Sequence, residues 1–288
     1  MLKLFLKFKP TTIKFRYLHV KKFLKITLDF YIKSSIHVAF SVLALAKISL
    51  LTAGLNSNTK LLIFIFFSAL SAYNFIKFFP LLFIPNFINK NHLIISITII
   101  AVLINLVIVF LISHLVLVFA IIGGLLVITY SIPFKSGSLN YRSKKGWKLH
   151  LVVLSWLCLT VAVPLASADN FNFVLFFKLI ILQGIYIFVA ILPFEIGDLN
   201  SDQNNLQTLP QRFGVFKVKR IGLILLALGI IFASINFYNF SSLALSALVT
   251  FLILAIMLWK SNENQSSYYA RFWVEGIPIL WYLMTYYF

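Results

Sequence analysis

Negative charge is scarce in this sequence: seven Asp and Glu stand against 25 Lys and Arg over 288 residues, a formal net charge of +18. Cysteine is nearly absent. The one Cys, Cys158, lies in an apolar run, which excludes an internal disulfide and a cysteine-ligated metal site. Polar stretches long enough for a soluble catalytic domain are missing too, since 61% of the residues are hydrophobic, 11% are charged and the mean hydropathy is +0.98. The basic residues are scattered over the breaks between apolar runs and form no nucleic-acid-binding module. Any chemistry therefore belongs in or at a membrane.

What the chain has instead is a series of apolar runs. Segments at about 35–56, 59–83, 92–112, 114–133, 149–167, 172–197, 219–236, 240–260 and 270–287 approach the roughly twenty residues that cross a bilayer as a helix. The expected fold is an all-α, polytopic membrane protein with about nine transmembrane helices over 35–288, preceded by a basic segment over 1–34. That segment carries nine Lys and Arg up to Lys33. It lacks the long uncharged core and small-residue cleavage site of a signal peptide, and reads as a retained, partly amphipathic helix at the membrane surface.

The breaks alternate in character. One side holds the N-terminal segment, Lys90, the cluster Lys135, Arg142, Lys144, Lys145 and Lys148, then Arg212, Lys217, Lys219 and Arg220, and last Lys260 and Arg271. The other holds Lys60, His114, Asp169 and the uncharged "NFYNFSS". The positive-inside rule puts the first set, with the N-terminus, in the cytoplasm. If the cell is bacterial, the membrane is the inner one.

Three of the seven carboxylates gather in "PFEIGDLNSDQNNLQTLPQRFG". Glu195, Asp198 and Asp202 stand at i, i+3 and i+7, which on a continuous helix aligns them on one face. Carboxylates that close repel each other unless cations lie between them, and Mg²⁺ is a natural candidate because it takes one or two carboxylates and completes its shell with water and phosphate oxygens. The loop "PFKSGSLNYRSKKGWK" offers complementary cations on the same side, with Arg142 able to fork onto a phosphate. A helix end paired with Arg212 or Lys217, and loop cations set by topology alone, account for the same residues without a ligand; both readings stand at this point.

These residues carry a resemblance. "EIGDLNSDQNNLQTLPQRFGVFKVKR" is similar to the second aspartate-rich motif of the UbiA superfamily of intramembrane prenyltransferases, through Asp198, Asp202, Thr208, Leu209, Pro210 and Gly214. "YSIPFKSGSLNYRSKKGWK" resembles the family's stretch after the fourth helix, through Tyr130, Pro133, Lys135, Arg142 and Gly146. The resemblance implies a helical barrel around a central cavity, with Mg²⁺ bridging aspartates to a prenyl diphosphate. It further implies transfer of the prenyl group to a lipid-soluble acceptor, of aromatic or quinone-precursor type. On that implication Asp198 and Asp202, supported by Glu195, hold the metal, while Asn74, Lys77, Tyr130, Lys135, Arg142, Lys144 and Lys145 meet the diphosphate.

The first family motif is degenerate. In "SALSAYNFIKFFPLLF" Asn74 fits, but the two aspartate positions hold Phe78 and Leu82, beside Lys77. Lys77 either replaces a metal at the phosphate or reaches for the membrane interface. The alternative function is a catalytically altered relative that binds or moves an isoprenoid lipid; no base, and no protein partner, is evident. A small-solute transporter would want an internal repeat with paired broken helices, which is not visible. Glu275 and Arg271, four apart, read as a pair on one helix face, and the histidines show no metal-ligand spacing.

Overall fold

The computed structural model describes residues 10–81, 85–131, 147–201 and 207–288, with side chains from residue 21 onward. Regular structure among them is entirely helical: α1 (Pro10–Lys33), α2 (Ile36–Thr52), α3 (Thr59–Phe78), α4 (Phe87–Ile108), α5 (His114–Ser131), α6 (Trp147–Leu157), α7 (Val163–Leu165), α8 (Phe173–Gly197), α9 (Leu209–Phe213), α10 (Val215–Asn236), α11 (Ser241–Lys260) and α12 (Glu275–Tyr287). Lipid offers no hydrogen bonds to the backbone, so β-branched, apolar runs that would suit strands in water close their bonds as helices here.

Among the described residues seven helices are long and apolar enough to cross a membrane, or eight if α1 and α2 form one bent span. The expected count of about nine is therefore not reached by that measure. The last expected span is helical but divided, with a π-helical turn over Tyr269–Val274 ahead of the 13-residue α12. The outer surface is apolar: Leu103 and Val107 in the last turns of α4, Phe110 just beyond it and Ile224 and Ile231 on α10 are exposed, as lipid-facing side chains must be.

Buried polar ties hold the helices together. Pro164 has no N–H to give the carbonyl four residues earlier, Thr160 O, and the chain passes through a second π-helical turn, Cys158–Ala162, just before it. Ser49 Oγ of α2 donates to that carbonyl at 2.6 Å. Gln183 of α8 in turn donates to Ser49 Oγ at 2.9 Å and to Leu45 O at 3.1 Å. Three segments are thus joined where no water competes.

α1 and α2 meet at a 57° bend. Ser35 makes it by adopting φ 64, a left-handed conformation uncommon outside glycine. Just beyond it, His37 Nε2 lies 2.9 Å from Phe272 O and Nδ1 lies 3.1 Å from Tyr31 Oη. A carbonyl can only accept, so Nε2 carries the proton, and a neutral ring then receives the Tyr31 hydroxyl at Nδ1. The histidine ties the bend to the π-helical turn before α12.

Candidate functional site

Two chambers adjoin inside the bundle. The larger has a volume of about 1050 Å³ and is bounded by α1, α3, α8 and the α12 region, with Tyr130, Lys148, Val152 and Trp156 on a further side. The smaller, about 270 Å³, is walled mainly by apolar groups such as Val42, Phe64, Val127 and Leu159. Tyr73, Ile76, Tyr130, Val152 and Trp156 belong to both walls, so the apolar annex adjoins the larger chamber across one shared wall.

α8 supplies one wall. Tyr186, Ala190 and Phe194 recur every four residues, as do Ile187, Ile191 and Glu195, and all line the larger chamber. From Tyr186 to Asp198 this face runs about 18 Å. The helix stops at Gly197, with Asp198 as its cap. The single helical face expected over 195–202 therefore ends at Asp198, and Asp202 lies outside the described residues.

The "TLPQRFG" segment is explained locally. Glu195 is buried, 2% exposed, and its Oε2 accepts the backbone N–H of Leu209 at 3.3 Å. Leu209 is the first residue of α9, whose initial N–H groups have no partner within the helix. Thr208 N donates to Gln211 Oε1 at 3.1 Å, Pro210 stiffens the first turn, and Gly214 at φ 78 swings the chain into α10. Gly197 has its own reason: an added Cβ would lie 2.4 Å from Gln265 Nε2, which donates to Pro193 O at 2.6 Å and secures the last turn of α8.

Asp198 sits at the carbonyl end of α8, where the helix dipole disfavours a carboxylate by about 0.3–1 kcal/mol. With Glu195 it makes one end of the chamber attractive to cations. Oxygen donors of this type suit a hard divalent ion such as Mg²⁺ that takes few protein ligands and completes its shell with water and phosphate. The described residues contain no group of three or more His, Cys, Asp or Glu that could hold a metal by themselves. The fit is thus to an ion shared with a ligand, not to a cage built by the protein.

Lys77 of α3 also opens onto the chamber, with Nζ donating to Ser35 Oγ at 2.9 Å and 3.5 Å from Ile32 O. It does not run out along the helix to the interface. Lys33, Lys148 and Arg271 also line the chamber, as do Asp29 and Glu275. Glu275 lies within charge range of both Lys77 and Arg271. The Asp29 carboxylate accepts the Tyr268 hydroxyl across the mouth, and that bond raises the Tyr268 phenol above its ordinary pKa.

Of the residues expected at the site, Lys77, Tyr130, Glu195 and Asp198 share this one chamber. Asn74 does not line it. It is buried between α3 and α4, where Nδ2 donates to Thr98 Oγ1 at 2.8 Å. Phe78, at a degenerate aspartate position, does line the chamber. Lys135, Arg142, Lys144, Lys145 and Leu82 lie outside the described residues. Sequence reasoning missed Tyr73 and Tyr186, which sit in apolar runs with no spacing to mark them. It also read Glu275 only as a partner for Arg271.

No family model matches the sequence, and the curated proteins searched contain no match to it. Two solved structures do resemble it. A UbiA homologue from Archaeoglobus fulgidus superposes with a TM-score of 0.61 at 12% identity, over 90% of this chain and 98% of that one. A UbiA homologue from the same organism bound to Cd²⁺ gives a TM-score of 0.58 at 13% identity, over 88% and 98%. The likeness spans nearly the whole of both molecules, and the chain has the UbiA fold.

Proposed function

We propose that the protein is a UbiA-type intramembrane prenyltransferase, which takes a prenyl group from a prenyl diphosphate to a lipid-soluble acceptor. The observation that carries this reading is the amphipathic cavity. The larger chamber is lined by both carboxylates and cations and an apolar annex lies against it, an arrangement that suits a molecule with a charged head and a hydrocarbon tail.

The chain's own groups have separable tasks. Lys77, Lys148 and Arg271 neutralise phosphate oxygens as donors, and the basic loop with Lys135, Arg142, Lys144 and Lys145 caps the head from the cytoplasmic side. Tyr130, at the junction of the two chambers, contacts the lipid or the phosphate. Asp198 and Asp202, with Glu195 in support, would hold Mg²⁺, which when bound supplies charge neutralisation for a departing diphosphate. Glu195 has a second task in any case, fixing the start of α9. The annex and the apolar face of α8 keep water from the prenyl chain.

One observation favours a second reading. Phe78 and Leu82 stand at the two aspartate positions of the first motif and cannot bind a metal, so half of the family's anionic ligand set is missing. A relative that binds or moves an isoprenoid lipid without turnover accommodates that loss. The deciding experiment incubates purified protein with radiolabelled prenyl diphosphates, Mg²⁺ and extracted membrane lipids. A labelled, lipid-extractable product supports transfer. Binding of the label without product supports the second reading, and absence of binding removes both.

A further inference from the structure

The opening turns of α10 carry charges that run against the helix. Lys217, Lys219 and Arg220 stand there, Arg212 lies just before them across Gly214, and the first turn holds no acidic residue. The positive end of a helix dipole disfavours cations, so helix stability does not account for them. Nor do carboxylates, since among the described residues none of the four forms an ion pair. Lys219 Nζ donates to Trp259 O at 2.8 Å and is thereby occupied at the end of α11. The Arg212 guanidinium lies over the Phe213 ring, 5.3 Å from its centroid, and that of Arg220 lies over Phe216 at 4.7 Å. A guanidinium over a ring spends none of its N–H donors there, so both forks stay available to an anion.

These groups crown the outward side of α10. Phe216, Arg220, Ile224 and Leu228 follow at steps of four, all exposed, with Lys217 beside them, while Val218, Gly222 and Leu226 turn inward. No residue of α10 lines either chamber. A phospholipid standing against this side would lay an acyl chain along Ile224 and Leu228 and bring its phosphate to the level of Lys217 and Arg220. A soluble acidic partner would meet the same cations but leave Phe213 and Phe216 exposed to water. The positive-inside rule asks for cations in a connection and is indifferent to the helix face they take. We propose that Lys217 and Arg220, with Arg212 in support, form a seat for the head of an anionic phospholipid whose chain packs on the apolar side of α10. The seat lies outside the bundle and is independent of what the chambers hold.

The test titrates the delipidated full chain in detergent with dioctanoyl phosphatidylglycerol and with dioctanoyl phosphatidylcholine, and counts bound lipid by native mass spectrometry. The two probes share tails and phosphate, but choline cancels the phosphate charge. The glycerol lipid is expected to bind on the order of tenfold more tightly, and added salt should shrink that preference. Changing Arg212, Lys217 and Arg220 together to Gln should abolish it. Changing Lys21, Lys22 and Lys25 to Gln removes as many charges from α1 and should leave it in place. Arg220→Gln alone, which keeps the other cations that set topology, should still reduce the preference about threefold to fivefold. Equal binding of the two lipids by the unmodified protein, a preference untouched by the α10 changes, or equal losses in the two triple variants would overturn the seat. Displacement of the glycerol lipid by an equal concentration of glycerol phosphate would do so too, since it would reveal a site for any small anion.

Discussion

Lys77 Nζ donates to Ser35 Oγ at 2.9 Å, joining α3 to the bend between α1 and α2 across 42 positions of sequence. The lysine thereby has two claims on it. It steadies a backbone held at an unfavourable φ, and it is the cation at which a phosphate in the chamber would arrive. A ligand that draws Lys77 away releases its hold on the α1 helix that borders the mouth.

Replacing Lys77 by Met should reduce affinity for a prenyl diphosphate about ten- to a hundredfold, the usual effect of losing a charge-assisted contact. Affinity for a prenyl alcohol of the same chain length should fall much less. The alcohol controls for damage to the apolar walls and to the bend. Equal losses for both ligands would mean that the lysine serves only the α1–α2 junction.

Asp198 and Glu195 should separate in their effects. Asp198→Asn is expected to weaken Mg²⁺-dependent binding of prenyl diphosphate with no loss of melting temperature, because a carboxylate at that helix end is disfavoured. Glu195→Ala should cost about 1–3 kcal/mol, since it removes the charged acceptor of the partly buried Leu209 N–H. Thermal melting with parallel ligand titration distinguishes the two. A large stability loss in Asp198→Asn would make that residue structural as well.

Gly197→Ala should push Gln265 off Pro193 O and destabilise the end of α8 by about 0.5–1.5 kcal/mol, the net worth of an ordinary hydrogen bond. In the Gln265→Ala background the same change should cost far less. Additive losses in that double-mutant cycle would show that the clash is not with Gln265.

The Asp29–Tyr268 hydrogen bond should restrain α1. Tyr268→Phe is expected to speed hydrogen exchange over residues 21–33 while leaving α8 unchanged. The Tyr268 pKa is raised in the folded protein, so the bond's contribution is fully present below the ordinary tyrosine value of about 10 and is lost only as pH rises through the folded value. Exchange in the unmodified protein should accordingly show no tyrosine-dependent step between neutral pH and about pH 9. Such a step would place the restraint elsewhere.

Much of the architecture was legible in the sequence, because bilayer thickness fixes helix length and the cost of charge fixes where helices break. The second motif was legible too, since Pro210 and Gly214 announce a turn with known backbone demands. What hid was anything that depended on neighbours. Nothing local shows that α8 ends at Gly197, because the partner that requires this glycine, Gln265, comes 68 positions later. Asn74 matched a motif position, yet its amide is taken up by Thr98 of the next helix and not by the chamber. Tyr73 and Tyr186 look like any other aromatic in a lipid-facing run until the helices are packed.

The π-helical turn over Tyr269–Val274 has a consequence for the chamber. Such a turn holds one residue more than the α-helix it interrupts and takes it up by winding wider, so the helix beyond keeps its facing. Glu275 follows the turn directly and lines the chamber. The same residues wound as a regular α-helix would rotate everything after them by about 100°, and Glu275 would swing off the chamber wall. Whether this carboxylate belongs to the chamber is thus decided by how the preceding turn is wound, a matter of backbone geometry instead of side-chain chemistry.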